Sequence, residues 1–447
     1  MLRVQRRARF RTWLGAAVAV AVLGGLALVS FPDTSTTPPS TGGPGQPLGA
    51  VSPPPHVDDA TRAEAVTDLL HRRAQAVRNH DEQAFLATID PKADTEFLDA
   101  QRRLFGNLAG VPFDVWSYRL HADDTLDVSG LPDSADELWA PAVDLRYALR
   151  GADLIPTDRA MGYLFARHGE TWYLRSDTAL DGLGRRTWRG PWDFAPCVVA
   201  TTQHGIVLSH PGSEPMVGRL VRELDSSVEA VSEIWPTSWS GRVALMLPDS
   251  PGEMRALVGP DFPVESVVAV AVADRVDNKT RTVAGQRVVL SPSGIRALSV
   301  ASLRIVLRHE ITHLAARADT VDGSPIWLLE GFADYVGYRD SGVTLAEGAP
   351  DLAKRVRQDG LPTALPEDRA FRSRGPELDL AYQQSWSLAR YIADRYDEPT
   401  LIAMYRRLAG AGAVSASETD TMLRSVLGVD RAALVAGWQS YLREALK

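Results

Sequence analysis

The chain has 447 residues and a single cysteine, Cys197. One thiol cannot form an intramolecular disulfide, and zinc sites built on cysteine need at least two. Any metal site must therefore be built from histidine, aspartate and glutamate. An excess of basic residues is also absent, because the formal net charge is −8. That balance argues against a general nucleic-acid-binding protein, which would present a basic face.

Charged residues are absent from residues 13–31, an apolar run of 19 residues that follows five arginines. A helix needs ~20 such residues to cross a bilayer, and the arginines favour a cytoplasmic N-terminus. We therefore expect residues 1–31 to be a cytoplasmic stub and an uncleaved single-pass anchor in the cell membrane, with the bulk of the chain extracytoplasmic. A cleaved signal peptide is the alternative, although the run is long for one. A lipoprotein signal would need a cysteine there.

Residues 32–56 contain eight prolines among serine, threonine and glycine, which predicts an extended linker. Residues 57–180 then combine helical and strand periodicities and predict a small α+β domain. This order of helices and strands resembles the cone-shaped fold of nuclear transport factor and ketosteroid isomerase relatives. Its role is open between packing or partner binding and ligand binding. The helical face consists of Val66, Leu69, Leu70, Ala74 and Val77.

A stretch rich in glycine, tryptophan and proline, residues 181–196, predicts a junction before a second domain, residues 197–447. In that domain short strands precede a long helix at about residues 299–316, and helices continue to the C-terminus. Residues 287–291 are predicted to be either an edge strand that pairs with an extended substrate or an ordinary strand of the sheet.

The long helix carries the sequence HEITH, which places His309 and His313 one turn apart on the same face. Both imidazoles can then reach one tetrahedral metal ion, while Glu310 can reach a water molecule on that ion. This is the HExxH arrangement of zinc metallopeptidases. The alternative is a solvated helix face with two incidental histidines.

A catalytic zinc needs three protein ligands and an open position. Ser324 and Pro325 predict the start of a second helix, and the short loop before it lets that helix fold back beside the first. Glu330 then comes opposite the two histidines. Asp334, one turn later, is placed to orient a ligand imidazole.

On these residues, the segment 197–447 resembles the gluzincin clan of zinc metallopeptidases, which includes thermolysin and the aminopeptidase-N-like enzymes. The likeness is greatest to compact bacterial peptidase MA-like domains and strongest between residues 303 and 338. It implies zinc as the cofactor, held by His309, His313 and Glu330, with Glu310 as the general base. Asp334 is then the carboxylate behind a ligand histidine.

The resemblance also implies a tyrosine that donates a hydrogen bond to the oxyanion. Tyr382, downstream of the glutamate ligand, is the candidate, and an ordinary half-buried tyrosine is the alternative. Tyr335 and Tyr338 are weaker candidates because they share the helix of Glu330. The G-x-M-E-N segment of the aminopeptidase branch is absent before the HExxH motif, which argues against aminopeptidase activity.

The expected fold is therefore α+β, with an N-terminal transmembrane helix, the cone-like domain, and a zincin-type domain with a small mixed sheet and a mainly helical C-terminal part. The expected function is a membrane-anchored extracytoplasmic zinc metallopeptidase that hydrolyses peptide or protein substrates by zinc-activated water, with Glu310 as general base. A non-catalytic zinc-binding scaffold and a ligand-sensing role of the cone-like domain are the alternatives.

Overall fold

The computed structural model describes residues 59–235, 239–260, 264 and 267–447. Within them the chain is an α+β protein whose N-terminal region, residues 59–196, precedes a larger C-terminal region, residues 197–447. The N-terminal region has its helices before its sheet, and the C-terminal region has strands before most of its helices, as the sequence predicts. The domain boundaries and the cone-like resemblance stay predictions.

The N-terminal region begins with three helices, and the predicted apolar face of the first one is buried. Its elements are α1 (Asp59–Arg78), α2 (Glu82–Leu86), α3 (Thr95–Leu108), β1 (Phe113–Leu126), β2 (Glu137–Leu149), β3 (Thr157–Met161), β4 (Leu164–His168) and β5 (Thr171–Ser176).

The N-terminal sheet is antiparallel throughout and is organised around the long strand β2. One side of β2 pairs with β1 and the other side pairs with both β3 and β4, while β5 pairs with β4. In the junction that follows, Trp192 packs against Phe113, Trp116 and Tyr147. The junction tryptophan therefore belongs to the core of the N-terminal region.

The C-terminal region contains a second sheet, a hairpin and eleven α-helices within the described residues. These elements are β6 (Val198–Thr201), β7 (Gly205–Ser209), α4 (Glu214–Ile234), β8 (Val243–Met246), α5 (Pro251–Val258), β9 (Ala269–Val272), β10 (Arg275–Asp277), β11 (Thr282–Ala284), β12 (Arg287–Leu290), α6 (Pro292–Arg296), α7 (Val300–Ala316), α8 (Ile326–Tyr338), α9 (Leu345–Gly348), α10 (Pro350–Gln358), α11 (Pro376–Tyr396), α12 (Glu398–Ala409), α13 (Ala416–Leu427) and α14 (Arg431–Ala445).

The second sheet is mixed, with the strand order β6-β7-β8-β12-β9. Strands β7, β8 and β12 are parallel, and β6 and β9 pair antiparallel at the two edges. Successive side chains of a strand point to opposite faces. Val288 accordingly packs in the core formed with α4 and α7, and Val289 packs in the core shared with the N-terminal region. Both faces of this sheet are therefore buried, which favours parallel strands.

Strand β12 is an interior strand, so of the two alternatives for residues 287–291 the ordinary strand is confirmed and the substrate-pairing edge is wrong. The edge on that side is β9. Ser291 N–H donates to the Val268 carbonyl at 2.8 Å, so these two residues, which lie opposite each other, form a hydrogen-bonded pair of the antiparallel ladder. Because hydrogen-bonded and non-hydrogen-bonded pairs alternate, Ala271, opposite Val288, directs its N–H and C=O away from β12.

No helix within the described residues is both long and apolar enough to cross a bilayer. This finding corrects two expectations, the fold with an N-terminal transmembrane helix and the single-pass location in the cell membrane. The apolar run that suggested them, residues 13–31, lies outside the described residues, as does the linker 32–56. The described fold is α+β with two regions, two five-stranded sheets and the two-stranded hairpin β10–β11.

Candidate metal centre

Helix α7 carries the HExxH sequence into the interior of the C-terminal region. It begins with Ser299, whose side chain accepts a hydrogen bond from the Ser302 N–H, a typical N-cap. His309 and Glu310 are buried, and His313 is intermediate. The helix face that holds the motif is thus covered by protein, which is inconsistent with a solvated face carrying two incidental histidines.

Helix α8 packs against α7 and supplies Glu330 and Asp334. It begins at Ile326, and the predicted cap by Ser324 is wrong, because the one proton of that hydroxyl is directed to the carbonyl oxygens of Val321 and Ala409, which both lie within hydrogen-bonding distance. The first-turn N–H of Ile326 donates to the Asp368 carboxylate at 3.0 Å. This cap comes from 42 residues away in the sequence, so local patterns could not reveal it.

Two glycines of α8 allow its neighbours to approach closely. A Cβ atom on Gly331 would lie 2.5 Å from the Ser385 carbonyl oxygen of α11, and one on Gly337 would lie 2.9 Å from the Ile305 carbonyl oxygen of α7. Both distances are shorter than real Cβ contacts, so larger residues would push the helices apart. The glycine directly after Glu330 therefore lets α11 lie against the helix that carries this carboxylate.

The three predicted ligands converge on one point. His309 Nε2 lies 3.1 Å from His313 Nε2 and 3.3 Å from Glu330 Oε2, and His313 Nε2 lies 3.7 Å from Glu330 Oε1. A tetrahedral zinc ion with ligands at ~2.0–2.1 Å separates its ligand atoms by about 3.3 Å. The spacing and the nitrogen–nitrogen–oxygen donor set therefore fit zinc, and these residues form a possible metal-binding triad.

Asp334 fixes the orientation of one imidazole. Its Oδ1 lies 2.8 Å from His309 Nδ1, and both side chains are buried. If Nδ1 donates this hydrogen bond, Nε2 keeps its lone pair directed toward His313 and Glu330, as a metal ligand requires. Burial opposes protonation of His309, but the Asp334 and Glu330 carboxylates outweigh it and raise the pKa of the imidazole well above its ordinary value.

Glu330 is held as a carboxylate. Burial alone would raise its pKa, but His313 and His309 lower the pKa of this carboxyl to about 2. Its Oε2 is buried and receives no hydrogen bond from the described residues. A buried carboxylate oxygen without a hydrogen bond is costly unless a cation approaches it. The electrostatics of Glu330 therefore agree with a metal ligand.

Glu310 lies between the triad and the edge strand β9. Burial raises the pKa of its carboxyl, while the two imidazoles and the backbone N–H of Ala271 act in the opposite direction. Its Oε1 is buried and has no hydrogen-bond partner among the described residues. The carboxyl is therefore poised beside the triad with one oxygen available to another molecule.

The structure also brings Tyr382 of α11 to this cluster. The side chain is buried, and burial together with the carboxylates of Glu330, Asp334 and Glu310 raises the pKa of its hydroxyl well above the ordinary value. Tyr335 points elsewhere and donates to Glu398 at 3.0 Å, and Tyr338 packs on Trp386 with ring centroids 4.4 Å apart. Of the three candidate tyrosines, Tyr382 is therefore the one whose hydroxyl interacts with the site carboxylates.

No protein-family model matches the chain, and no curated protein matches it. Among solved structures, the chain is similar to a variant of an M1 zinc metallopeptidase from Deinococcus radiodurans, with 15% sequence identity and a TM-score of 0.31. The match covers 55% of this chain and 50% of that chain. This likeness is weak and partial, so the chemistry of the site has to be inferred from its own geometry.

Proposed function

We propose that this protein is a zinc metallopeptidase of the gluzincin type. The observation that carries the proposal is the convergence of His309 Nε2, His313 Nε2 and a Glu330 oxygen within 3.1–3.7 Å, beside the buried carboxyl of Glu310. A purely structural zinc site has four protein ligands and needs no general base. Three ligands next to a carboxyl with one oxygen free of hydrogen bonds favour catalysis over a non-catalytic scaffold.

His309, His313 and Glu330 would hold the zinc ion. When bound, zinc supplies Lewis-acid chemistry, which activates water and polarises a carbonyl oxygen at neutral pH. Asp334 keeps His309 in the tautomer that this role requires. All four side chains project from the adjacent helices α7 and α8, so the site is rigid before substrate arrives.

Glu310 would act as the general base. Its free Oε1 accepts a proton from the attacking water and later passes that proton to the leaving amine. The phenol of Tyr382 would donate a hydrogen bond to the oxyanion that develops on the scissile carbonyl. Its raised pKa keeps the hydroxyl protonated over the whole physiological range, as a donor must be.

The outer edge of β9 would align the substrate. Ala271 directs its N–H and C=O away from β12, and the N–H donates a hydrogen bond to the Glu310 carboxyl, so the general base lies at this edge. An extended peptide can add to such an edge through main-chain hydrogen bonds. This mode of binding selects an extended backbone and places a peptide bond near the general base.

The test is zinc analysis and peptide-library cleavage with the purified full-length chain beside Glu310→Gln. We expect one zinc per chain in both proteins, and a loss of kcat of about 10²–10⁴-fold in the variant, because the isosteric amide cannot take a proton. Retained zinc in Glu310→Gln is the internal control for folding.

Zinc-free protein would overturn the proposal, and so would turnover that is unaffected by Glu310→Gln. Stoichiometric zinc without any cleavage would favour the non-catalytic scaffold. Comparing each cleaved peptide with its N-acetylated form separates the two peptidase classes. Equal cleavage of both forms indicates an endopeptidase, and loss of cleavage on acetylation indicates an aminopeptidase.

A further inference from the structure

The end of the edge strand β9 is bound to the N-terminal region by a buried ion pair. Asp274 lies two residues after β9, and its Oδ1 pairs with the Arg159 guanidinium of β3. Its Oδ2 accepts a hydrogen bond of 2.6 Å from the Thr157 hydroxyl, also on β3. Both oxygens of this carboxylate are therefore occupied by a single strand of the N-terminal region.

The carboxylate is enclosed on the side of the hairpin β10–β11 as well. The Asp274 N–H donates to the Ala284 carbonyl at 3.0 Å, and the carboxylate lies directly over Gly285, where a Cβ atom would collide with it. The Arg159 guanidinium lies 4.7 Å from the centre of the Trp188 ring. Because Arg159 and Asp274 are at most 9% exposed, solvent screens this pair weakly.

A second ion pair joins the two regions at the neighbouring strand. Arg287, the first residue of β12, donates to both oxygens of Asp153 at 2.5 and 2.7 Å, and both side chains are 4% exposed. This pair holds an interior strand, which has hydrogen-bonded neighbours on each side. Strand β9 has such a neighbour on one side only. The position of its outer edge therefore depends more on the contacts that fix the end of the strand.

We infer that Arg159 and Asp274 are positioning residues through which the N-terminal region fixes the edge strand β9 beside Glu310. The inference rests on the proposed function, since it assigns β9 to substrate alignment. Asp274 is three residues from Ala271, whose backbone N–H donates a hydrogen bond to the Glu310 carboxyl. Loss of the pair would leave a buried charge and loosen the end of the strand along which the peptide is expected to bind.

The experiment compares Asp274→Asn with Asp153→Asn, an equally buried substitution in the neighbouring ion pair, in the full-length chain. Hydrogen exchange is followed in fragments covering residues 267–274 and 287–290. We expect Asp274→Asn to raise exchange in the first fragment by about tenfold, and Asp153→Asn to change it by less than about twofold. Thr157→Val, which keeps the ion pair, should raise hydrogen exchange in the fragment 267–274 by about threefold.

Steady-state kinetics on a cleaved N-acetylated peptide give the catalytic consequence. We expect KM to rise by about tenfold in Asp274→Asn while kcat changes by less than about threefold, because alignment is weakened and the reacting groups are intact. Arg159→Lys, which retains the positive charge, should raise KM by less than Asp274→Asn does. Zinc content should stay at one per chain in all of these variants.

Equal exchange in the Asp274→Asn and Asp153→Asn proteins would overturn the inference, because it would indicate general loosening of the interface. Unchanged exchange in both Asp274→Asn and Thr157→Val would do the same, and so would raised exchange with an unaltered KM. Absence of cleavage by the unmodified chain would instead count against the proposed function. The exchange data would still decide whether the pair fixes β9.

Discussion

Two clusters of buried charged side chains lie on opposite faces of the second sheet, and they differ in the balance between basic and acidic groups. The cluster between the two regions contains two guanidinium groups and two carboxylates, and each guanidinium is paired with one carboxylate. The cluster on α7 and α8 contains three carboxylates against two imidazoles, and two of its carboxylate oxygens receive no hydrogen bond from the described residues.

The difference in charge balance indicates which of the two clusters binds a cation from outside the protein. A balanced buried cluster is complete within the protein and contributes mainly to the way the regions fit together. A buried cluster with converging lone pairs and excess negative charge is completed by a cation from outside. The first should therefore respond to mutation through stability, and the second through metal binding and turnover.

The variant Glu330→Gln should distinguish the roles of the two clusters most clearly. Loss of a direct ligand should weaken zinc binding by more than the ~100-fold that loss of an outer hydrogen-bond partner causes, and turnover should disappear. A chelator should lower the melting temperature of the unmodified chain but not that of the variant, because only the former has metal to lose. Equal chelator sensitivity in both proteins would show that the metal is bound elsewhere.

The balanced cluster should respond to Arg287→Met, which leaves Asp153 buried without its partner. We expect a loss of about 3–5 kcal/mol in the free energy of unfolding, measured by denaturant titration. Arg150→Met is the matched control, because its pair with Asp114 is exposed, and it should cost no more than about 1 kcal/mol. Similar losses of stability in the two variants would show that the buried ion pair contributes no more than the exposed one.

The role of the tyrosine at the metal cluster is tested by Tyr382→Phe. Removal of an oxyanion donor should lower kcat by about 100-fold or more while zinc content stays at one per chain. Tyr335→Phe removes a hydroxyl bonded to Glu398 on the far side of α8 and serves as the control. Full turnover by the Tyr382 variant would exclude the oxyanion role.

A smaller effect is expected for Asp334→Asn. The amide can accept a hydrogen bond from His309 but carries no charge, so zinc affinity should fall by about 10–100-fold, measured by competition with a chelating dye. Asp394→Asn, which alters an exposed carboxylate on α11 that accepts from Tyr441, should leave zinc affinity unchanged. Unaltered affinity in the Asp334 variant would remove this residue from the site.

The sequence indicated the parts of the site that depend on short-range geometry. A spacing of four residues places His309 and His313 on one helix face whatever surrounds that helix. The short loop before α8 then limits where Glu330 and Asp334 can lie. The apolar face of α1 followed in the same way from helical periodicity, because an amphipathic helix must bury that face.

Tertiary structure decided the features that depend on contacts between distant segments. Strand order made β9 the edge in place of β12, and no pattern within a strand encodes its neighbours. The cap from Asp368, the proximity of Tyr382 to Glu330, and the ion pair between Arg159 and Asp274 join residues 42, 52 and 115 positions apart. Such pairings appear only when the whole chain is packed, because their energy comes from burial and not from local propensity.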